Sequence, residues 1–137
     1  MPSYLLDTNA LSELVRHPDG PVAQTFRIKE KDPDCRLLTS IIVACEVRFG
    51  LERRQALALG RRVELLFRTL PVAALEPGMD RIYASVRADL ECRGEPIGQN
   101  DLLIAAHAIA LDAVLVTDNI REFERVKGLR VENWLRE

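Results

Sequence analysis

Residues 3–7 read Ser-Tyr-Leu-Leu-Asp, and residues 113–118 read Ala-Val-Leu-Val-Thr-Asp. Each is a short apolar run that ends at an aspartate, and neither alternates between polar and apolar residues. Strands that are covered by helices on both faces have this pattern. We therefore predict two buried parallel strands here, a third at residues 36–39 and a short last one at residues 129–131.

Helical segments separate these runs. We predict helices over residues 10–16, 41–59, 61–70, 77–93 and 100–111. Thr8 or Asn9 would cap the first helix, and Gly60 would break the chain between the second and the third. Strands that alternate with helices indicate an α/β fold with a mainly parallel sheet. No linker or repeat interrupts the chain, so we expect one domain over residues 1–137.

The composition is that of an ordinary soluble globular protein, with 47% hydrophobic and 29% charged residues. The net charge of −2 gives no electrostatic sign of nucleic-acid binding. Sixteen of the 19 basic residues are arginine, whose planar fork matches phosphate, although a GC-rich genome would also explain this bias. Three scattered cysteines and the absence of a signal peptide or a long apolar run predict a reduced, cytoplasmic protein without a membrane segment.

Four acids fall where an α/β sheet binds ligands, outside the carboxyl ends of its strands. Asp7 and Asp118 directly follow predicted strands, Asp101 opens a helix, and Glu46 lies about one and a half turns into another. Asp7, Glu46 and Asp101 stand in mainly apolar segments, where a carboxylate tends to be buried and must then be paired or bind metal.

Each acid also has a simpler explanation. Asp7 and Asp101 could merely be helix caps, and Glu46 could pair with a nearby arginine such as Arg48 or face water. Caps alone do not easily explain several acids at one edge of a sheet. Clustered carboxylates repel one another unless a cation joins them, and an all-oxygen ligand set favours Mg²⁺ or Mn²⁺ over zinc. His17 and His107 are too isolated for a zinc site.

Three motifs follow one another along the chain. The first is Leu-Asp-Thr-Asn at residues 6–9, the second is the segment 96–108 with its Gly-x-x-Asp-x-x-Ile-Ala-Ala pattern, and the third covers residues 115–126 and 128–134. Together they resemble the motifs of PIN-domain nucleases, and the last also resembles the VapC toxins of type II toxin–antitoxin systems. The resemblance implies a compact α/β/α sandwich and a Mg²⁺- or Mn²⁺-dependent endoribonuclease.

The resemblance also implies a set of site residues. Asp7, Glu46 and Asp101 match the acidic positions of the family and would be catalytic metal ligands. At the fourth position many relatives have an acid where this chain has Asn119, with Asp118 displaced by one residue. We therefore expect Asn119 to take part in catalysis and Asp118 to be a candidate metal ligand. Thr8, Asn9 and Thr117 would hold the carboxylates by hydrogen bonds.

The partners implied by this resemblance are an RNA substrate, expected to be structured RNA such as tRNA, and a VapB-type antitoxin that inhibits the enzyme. DNA contact would be indirect, through the antitoxin, and a homodimer is expected. The main alternative is a catalytically inactive PIN-like binding module, which Asn119 leaves open. A receiver domain of two-component signalling fits poorly, because Asp7 is followed by Thr8 rather than by a second acid.

Overall fold

The computed structural model describes residues 2–136, within which it has five strands and seven helices. The strands are β1 (Ser3–Leu6), β2 (Arg36–Ser40), β3 (Val72–Ala73), β4 (Ala113–Val116) and β5 (Val131–Glu132). The helices are α1 (Thr8–Arg16), α2 (Pro21–Lys31), α3 (Ile41–Arg54), α4 (Leu57–Phe67), α5 (Met79–Cys92), α6 (Gln99–Ala110) and α7 (Ile120–Phe123). Two residues of the predicted domain, Met1 and Glu137, lie outside this range.

All five strands form one parallel sheet in the order β3-β2-β1-β4-β5. The predicted α/β fold with a mainly parallel sheet is confirmed. From β1 the chain moves outward through β2 to β3, and it then returns to the other side of β1 as β4. This reversal makes a crevice between the carboxyl ends of β1 and β4, where open α/β sheets bind ligands.

The two central strands form the middle of the hydrophobic core. Leu5 and Leu6 of β1, and Leu115 and Val116 of β4, have no measurable exposure. Helix α1 packs against α2, α3 and α4, while α5 packs against α6. Because helices cover the sheet, the central strands read as continuous apolar runs. No helix within residues 2–136 has the length and apolar character needed to cross a membrane.

Several predicted boundaries are wrong. The helix predicted over residues 41–59 ends at Arg54, where Gln55 adopts a left-handed conformation with φ of 51° and its N–H bonds to the carbonyl oxygens of Glu52 and Leu51. Gly60 therefore lies inside α4 instead of breaking the chain. Helix α1 begins at Thr8 and is capped by Asp7, so neither Thr8 nor Asn9 is the cap. Three short or weakly patterned elements, α2, β3 and α7, were not predicted.

Buried His107 connects α6 to the start of α3. Its Nδ1 lies 2.8 Å from Ser40 Oγ, and its Nε2 lies 3.1 Å from the carbonyl oxygen of Ala74. A carbonyl can only accept, so Nε2 carries the proton and Nδ1 accepts from Ser40. Burial lowers the pKa of His107, which keeps the ring neutral. His107 therefore links these elements through two buried hydrogen bonds.

Candidate active site

Asp7 is both a helix cap and a buried acid at the mouth of the crevice. It directly follows β1, is 4% exposed, and accepts a hydrogen bond of 3.1 Å from the N–H of Ala10. Burial raises its pKa to about 6, against the lowering effect of hydrogen bonds from the Thr117 side chain and the N–H groups of Ala10 and Asn9. The negative charge of Glu46 raises it further. Capping and participation in an acidic cluster are thus compatible.

Glu46 points from α3 toward the same region. Its carboxylate accepts a hydrogen bond of 2.5 Å from Thr8 Oγ1 and one of 3.3 Å from Asn100 Nδ2. Its charge contributes to the raised pKa of both Asp7 and Asp101. The alternative pairing with Arg48 is wrong, because the Arg48 guanidinium pairs with Glu64.

Asp101 lies in the first turn of α6 and is not its N-cap, a position held by Gly98. Its pKa is raised to about 7, first by burial, then by a hydrogen bond to Glu122 and the charge of that residue, and finally by the charges of Glu46 and Asp7. Four carboxylates therefore share one electrostatic environment at the carboxyl edge of the sheet.

Glu122 is the member of this group that the sequence did not single out. Its carboxylate accepts hydrogen bonds from the backbone N–H of Gly98 at 3.1 Å and from Asn119 Nδ2 at 2.7 Å. Burial opposes its ionisation, but these bonds, the contact with Asp101 and the charge of Arg125 lower its pKa. The available signal was an Asn and a Glu three residues apart after a strand, which meet if those residues form a helical turn.

The two candidates for the fourth position have different surroundings. Asn119 is joined to the cluster through Glu122. The carboxylate of Asp118 instead accepts hydrogen bonds from Asn133 Nδ2 at 2.9 Å and Arg136 Nε at 3.2 Å. The side-chain oxygen of Asn9 accepts a hydrogen bond of 3.0 Å from the backbone N–H of Asp118. The structure thus connects Asp118 to the C-terminal segment, while it connects Asn119 to the acids.

The donor chemistry of the cluster suits a divalent cation. All its ligand atoms are oxygens, and two of its carboxyls have pKa values raised to about 6 and about 7 by burial and like charge, a penalty that a cation removes. Within residues 2–136, however, no three His, Cys, Asp or Glu side chains are placed to hold one ion together. Here hydrogen bonds from Thr8, Thr117 and Asn119 occupy the carboxylates.

The chain as a whole is similar to a known protein family. The family model described as "PIN domain" matches residues 4–129. The chain is 33% identical to "Ribonuclease VapC2" of Rickettsia felis, over 96% of this chain and 97% of the relative. It is 31% identical to "tRNA(fMet)-specific endonuclease VapC" of Salmonella typhimurium, over 98% and 99% of the two chains.

Solved structures of similar proteins agree with the fold. A chain in the crystal structure of VapBC2 from Rickettsia felis, bound to a DNA fragment from its promoter, superposes with a TM-score of 0.89 at 33% identity and covers 96% of this chain. A chain of VapBC-1 from nontypeable Haemophilus influenzae superposes with a TM-score of 0.84 at 34% identity, also over 96% of this chain. The match extends through 98% of each of those chains.

Proposed function

We infer the activity from the family: this chain belongs to the PIN-domain family, and it is an endoribonuclease, the VapC toxin of a VapBC toxin–antitoxin pair. The observation that carries the site assignment is the convergence of Asp7, Glu46, Asp101 and Glu122 at the crevice between β1 and β4. We propose that this crevice is where RNA is cleaved, in the cytoplasm.

In the proposed mechanism, Asp7 and Asp101 would hold a divalent cation, and Glu46 would complete the site or orient the attacking water. When bound, such an ion supplies positive charge beside the phosphate and lowers the pKa of the water. Thr8 and Thr117 fix the carboxylates of Glu46 and Asp7 by hydrogen bonds, and this limits their rotation. Water is added across a phosphodiester P–O bond, so that one strand becomes two.

We propose Mg²⁺ or Mn²⁺ as the cation, because all the donors are oxygens. We propose structured RNA, such as tRNA, as the substrate, supported by the name of the Salmonella typhimurium relative.

The direct test is to incubate the purified, antitoxin-free protein with total RNA, with and without added Mg²⁺ or Mn²⁺. We expect cleavage at discrete positions with the ion, none in EDTA, and none with folded Asp7→Asn. Cleavage in EDTA at the full rate would contradict the metal requirement. A pure protein that binds RNA without cutting it under any ionic condition would instead favour the inactive binding module.

Glu122 weakens the argument for an inactive module. That alternative rests on Asn119 standing where many relatives have an acid. In this chain the Asn119 amide donates to Glu122, so a fourth carboxylate is present one helical turn further on. We propose that Asn119 and Glu122 together serve the fourth position and that Asp118 does not.

This assignment is tested by comparing Glu122→Gln, Asn119→Ala and Asp118→Asn. Glu122→Gln should reduce cleavage strongly, and Asn119→Ala should reduce it by about 10–100-fold, the usual cost of losing a group that orients a ligand. Asp118→Asn should cost far less. Equal losses for Asp118→Asn and Asp7→Asn would make Asp118 the fourth ligand. Asn119→Asp should tighten binding of Mn²⁺ or Mg²⁺.

The antitoxin needs a docking surface, and a cleft of about 830 Å³ between α3 and α4 suits it. Its lining combines Leu57 and Leu65, which are 77% and 59% exposed, with Arg61 and Arg68, and it also contains Glu52 and the ion pair of Arg48 with Glu64. An amphipathic antitoxin helix with an acidic margin would bury the leucines and complement the arginines.

Inhibition would follow if a nearby Arg or Lys of the antitoxin neutralised the carboxylates. We expect the stoichiometric complex to lack ribonuclease activity and charge reversal of that residue to restore part of it. A fully active complex would contradict this mode of control. Contact with DNA would be made by the antitoxin, as the partner expected to bind it.

We also propose that the protein forms the homodimer that the resemblance implies. One face of α3 exposes Ile41, Cys45 and Phe49 in positions that repeat every four residues, and Phe49 is 64% exposed. Phe49→Asp should shift the mass measured by light scattering from dimer to monomer. A monomeric parent protein would disprove the dimer.

A further inference from the structure

A second, smaller cleft begins at the acidic cluster and leads away from it. It has a volume of about 180 Å³ and lies between α1 and α3, with part of α4 as its floor. Thr8 and Glu46 line one end, and Arg16 and Arg54 line the other. The volume is below the roughly 300–1,000 Å³ of pockets that enclose drug-sized ligands, so it suits a single phosphate group better than a whole nucleotide.

The cleft follows from the register of two helices. Six of its twelve lining residues recur at every fourth position, Thr8, Ser12 and Arg16 on α1 and Glu46, Gly50 and Arg54 on α3, and the other six are apolar. Residues at this spacing share one helix face. On each helix the arginine is eight residues beyond the site residue, or about 12 Å along the axis. The small side chains between them keep the cleft open, and a Cβ added at Gly50 would meet no atom within 4 Å.

Arg16 and Arg54 are both exposed. Neither forms an ion pair with any residue in the described range 2–136. Other arginines, such as Arg93 and Arg130, are paired with nearby carboxylates. Residues 47–70 contain six arginines and two glutamates, a local charge of +4 in a chain whose net charge is −2. The positive charge of this segment therefore lies along the second half of α3 and along α4.

An RNA substrate needs a positively charged region near the acidic site. An RNA strand carries a negative charge at every nucleotide, and the carboxylates of the site repel it. Guanidinium groups bind phosphate through paired N–H donors. At about 12 Å from the acids, they would meet a phosphate a few nucleotides from the one that is cleaved, given a rise of roughly 3.4 Å per stacked nucleotide.

We propose that Arg16 and Arg54 form a phosphate-binding subsite that holds the RNA backbone a few nucleotides from the cleavage point. This inference rests on the proposed ribonuclease function. The two residues position the substrate and do not touch the reacting atoms. They bind the backbone without reading its sequence, because phosphate contacts carry no base information.

The first experiment compares Arg16→Ala, Arg54→Ala and the double variant with the parent on total RNA and on a labelled single-stranded oligonucleotide. Each single change should raise KM about tenfold with kcat nearly unchanged, as expected for loss of a charged hydrogen bond. Arg16→Lys should recover part of the loss, because charge is retained. Arg36→Ala is the matched control, since Arg36 is exposed, unpaired within the described range, and at the opposite edge of the sheet.

The second experiment measures binding of the same oligonucleotide in an Asp101→Asn background, where RNA is not cut. The slope of log affinity against log salt should fall by about 1.4 in the double variant, roughly 0.7 for each lost single-strand phosphate contact. Gly50→Leu should fold normally, since the helix gains propensity and the cleft has room. It should weaken RNA binding by obstructing the cleft, and the salt slope should fall as in the double variant, because the phosphate no longer reaches the two guanidinium groups.

The outcomes separate this inference from the function on which it rests. If the parent cleaves RNA and the arginine variants match it in KM and in salt slope, the subsite is wrong and the ribonuclease assignment stands. If the variants retain RNA cleavage but escape inhibition by the antitoxin, the arginines belong to the protein interface and the proposal is overturned. If the parent protein does not cleave RNA, the proposed ribonuclease function is itself wrong.

Discussion

Helices α4 and α6 have similar lengths and similar apolar contents, seven of 11 residues and eight of 12, but opposite surroundings. Helix α6 buries six residues, among them His107, and packs on α5 and β4. Helix α4 buries only Val63 and exposes Leu57 and Leu65. The apolar residues of α6 therefore hold Asp101 in place, whereas on α4 Leu57 and Leu65 remain exposed, on the surface that we propose for the antitoxin. Apolar content alone does not distinguish these two roles.

The largest expected effect lies at the first turn of α6. Asp101→Asn should reduce RNA cleavage at least ~10²-fold, because it removes a charge on which the site depends. We expect expression of the parent without its antitoxin to arrest bacterial growth, and Asp101→Asn should relieve that arrest. Cleavage of total RNA is the measurement. Asp112→Asn is the control, since Asp112 follows the far end of α6 with its side chain 96% exposed. A folded Asp101→Asn protein as toxic as the parent would refute the assignment.

A substitution on the exposed face of helix α4 should change antitoxin binding and not RNA cleavage. Leu65→Asp should weaken antitoxin binding about 30-fold or more, as for a central apolar residue of an interface, with ribonuclease activity and melting temperature close to the parent's. Isothermal titration with the antitoxin measures the affinity. Ile28→Asp on α2, at a side chain that is 68% exposed, should change nothing. If Leu65→Asp unfolds the protein instead, α4 belongs to the core and the contrast between the helices is lost.

The buried face of α6 should show its importance in stability. His107→Phe keeps much of the volume but leaves Ser40 Oγ and the carbonyl of Ala74 without their partner. We expect a loss of about 2 kcal/mol in the free energy of unfolding, measured by urea denaturation at pH 8. A loss below the error of that measurement would mean that the two contacts contribute little.

The last effect is a dependence of stability on pH, and it concerns the protonation of Asp101 in EDTA. Its pKa is about 7 in the folded protein, against an ordinary value of 3.8. The group therefore favours the folded state below pH 3.8, and this contribution is lost as pH rises through about 7. Asp101→Asn should be more stable than the parent at pH 8, with an advantage that shrinks steadily toward pH 4. An advantage independent of pH would contradict the raised pKa.

Much of the fold and of the candidate site could be predicted from local sequence patterns. The apolar runs of β1 and β4 require burial on both faces, and the aspartates that end or follow them are placed at the carboxyl edge by the geometry of parallel strands. Asp7 and Asp101 could be identified as candidate site residues because they lie in apolar segments, where burying an unpaired charge costs free energy. The short elements β3 and α7 gave no comparable pattern, because two to four residues are too few for a periodic signal.

The tertiary structure decided what depends on distant contacts. It ended α3 at Gln55 rather than at Gly60, since helix ends respond to packing and local hydrogen bonds as well as to propensity. It connected Asp118 to Asn133 and Arg136, and brought Glu122 to Asp101 and Asn119. It also placed the ends of α1 and α3 side by side, so that Arg16 and Arg54 line one cleft. Sequence specifies a residue's chemistry and its position on an element, whereas the partner of a long side chain depends on how the elements pack.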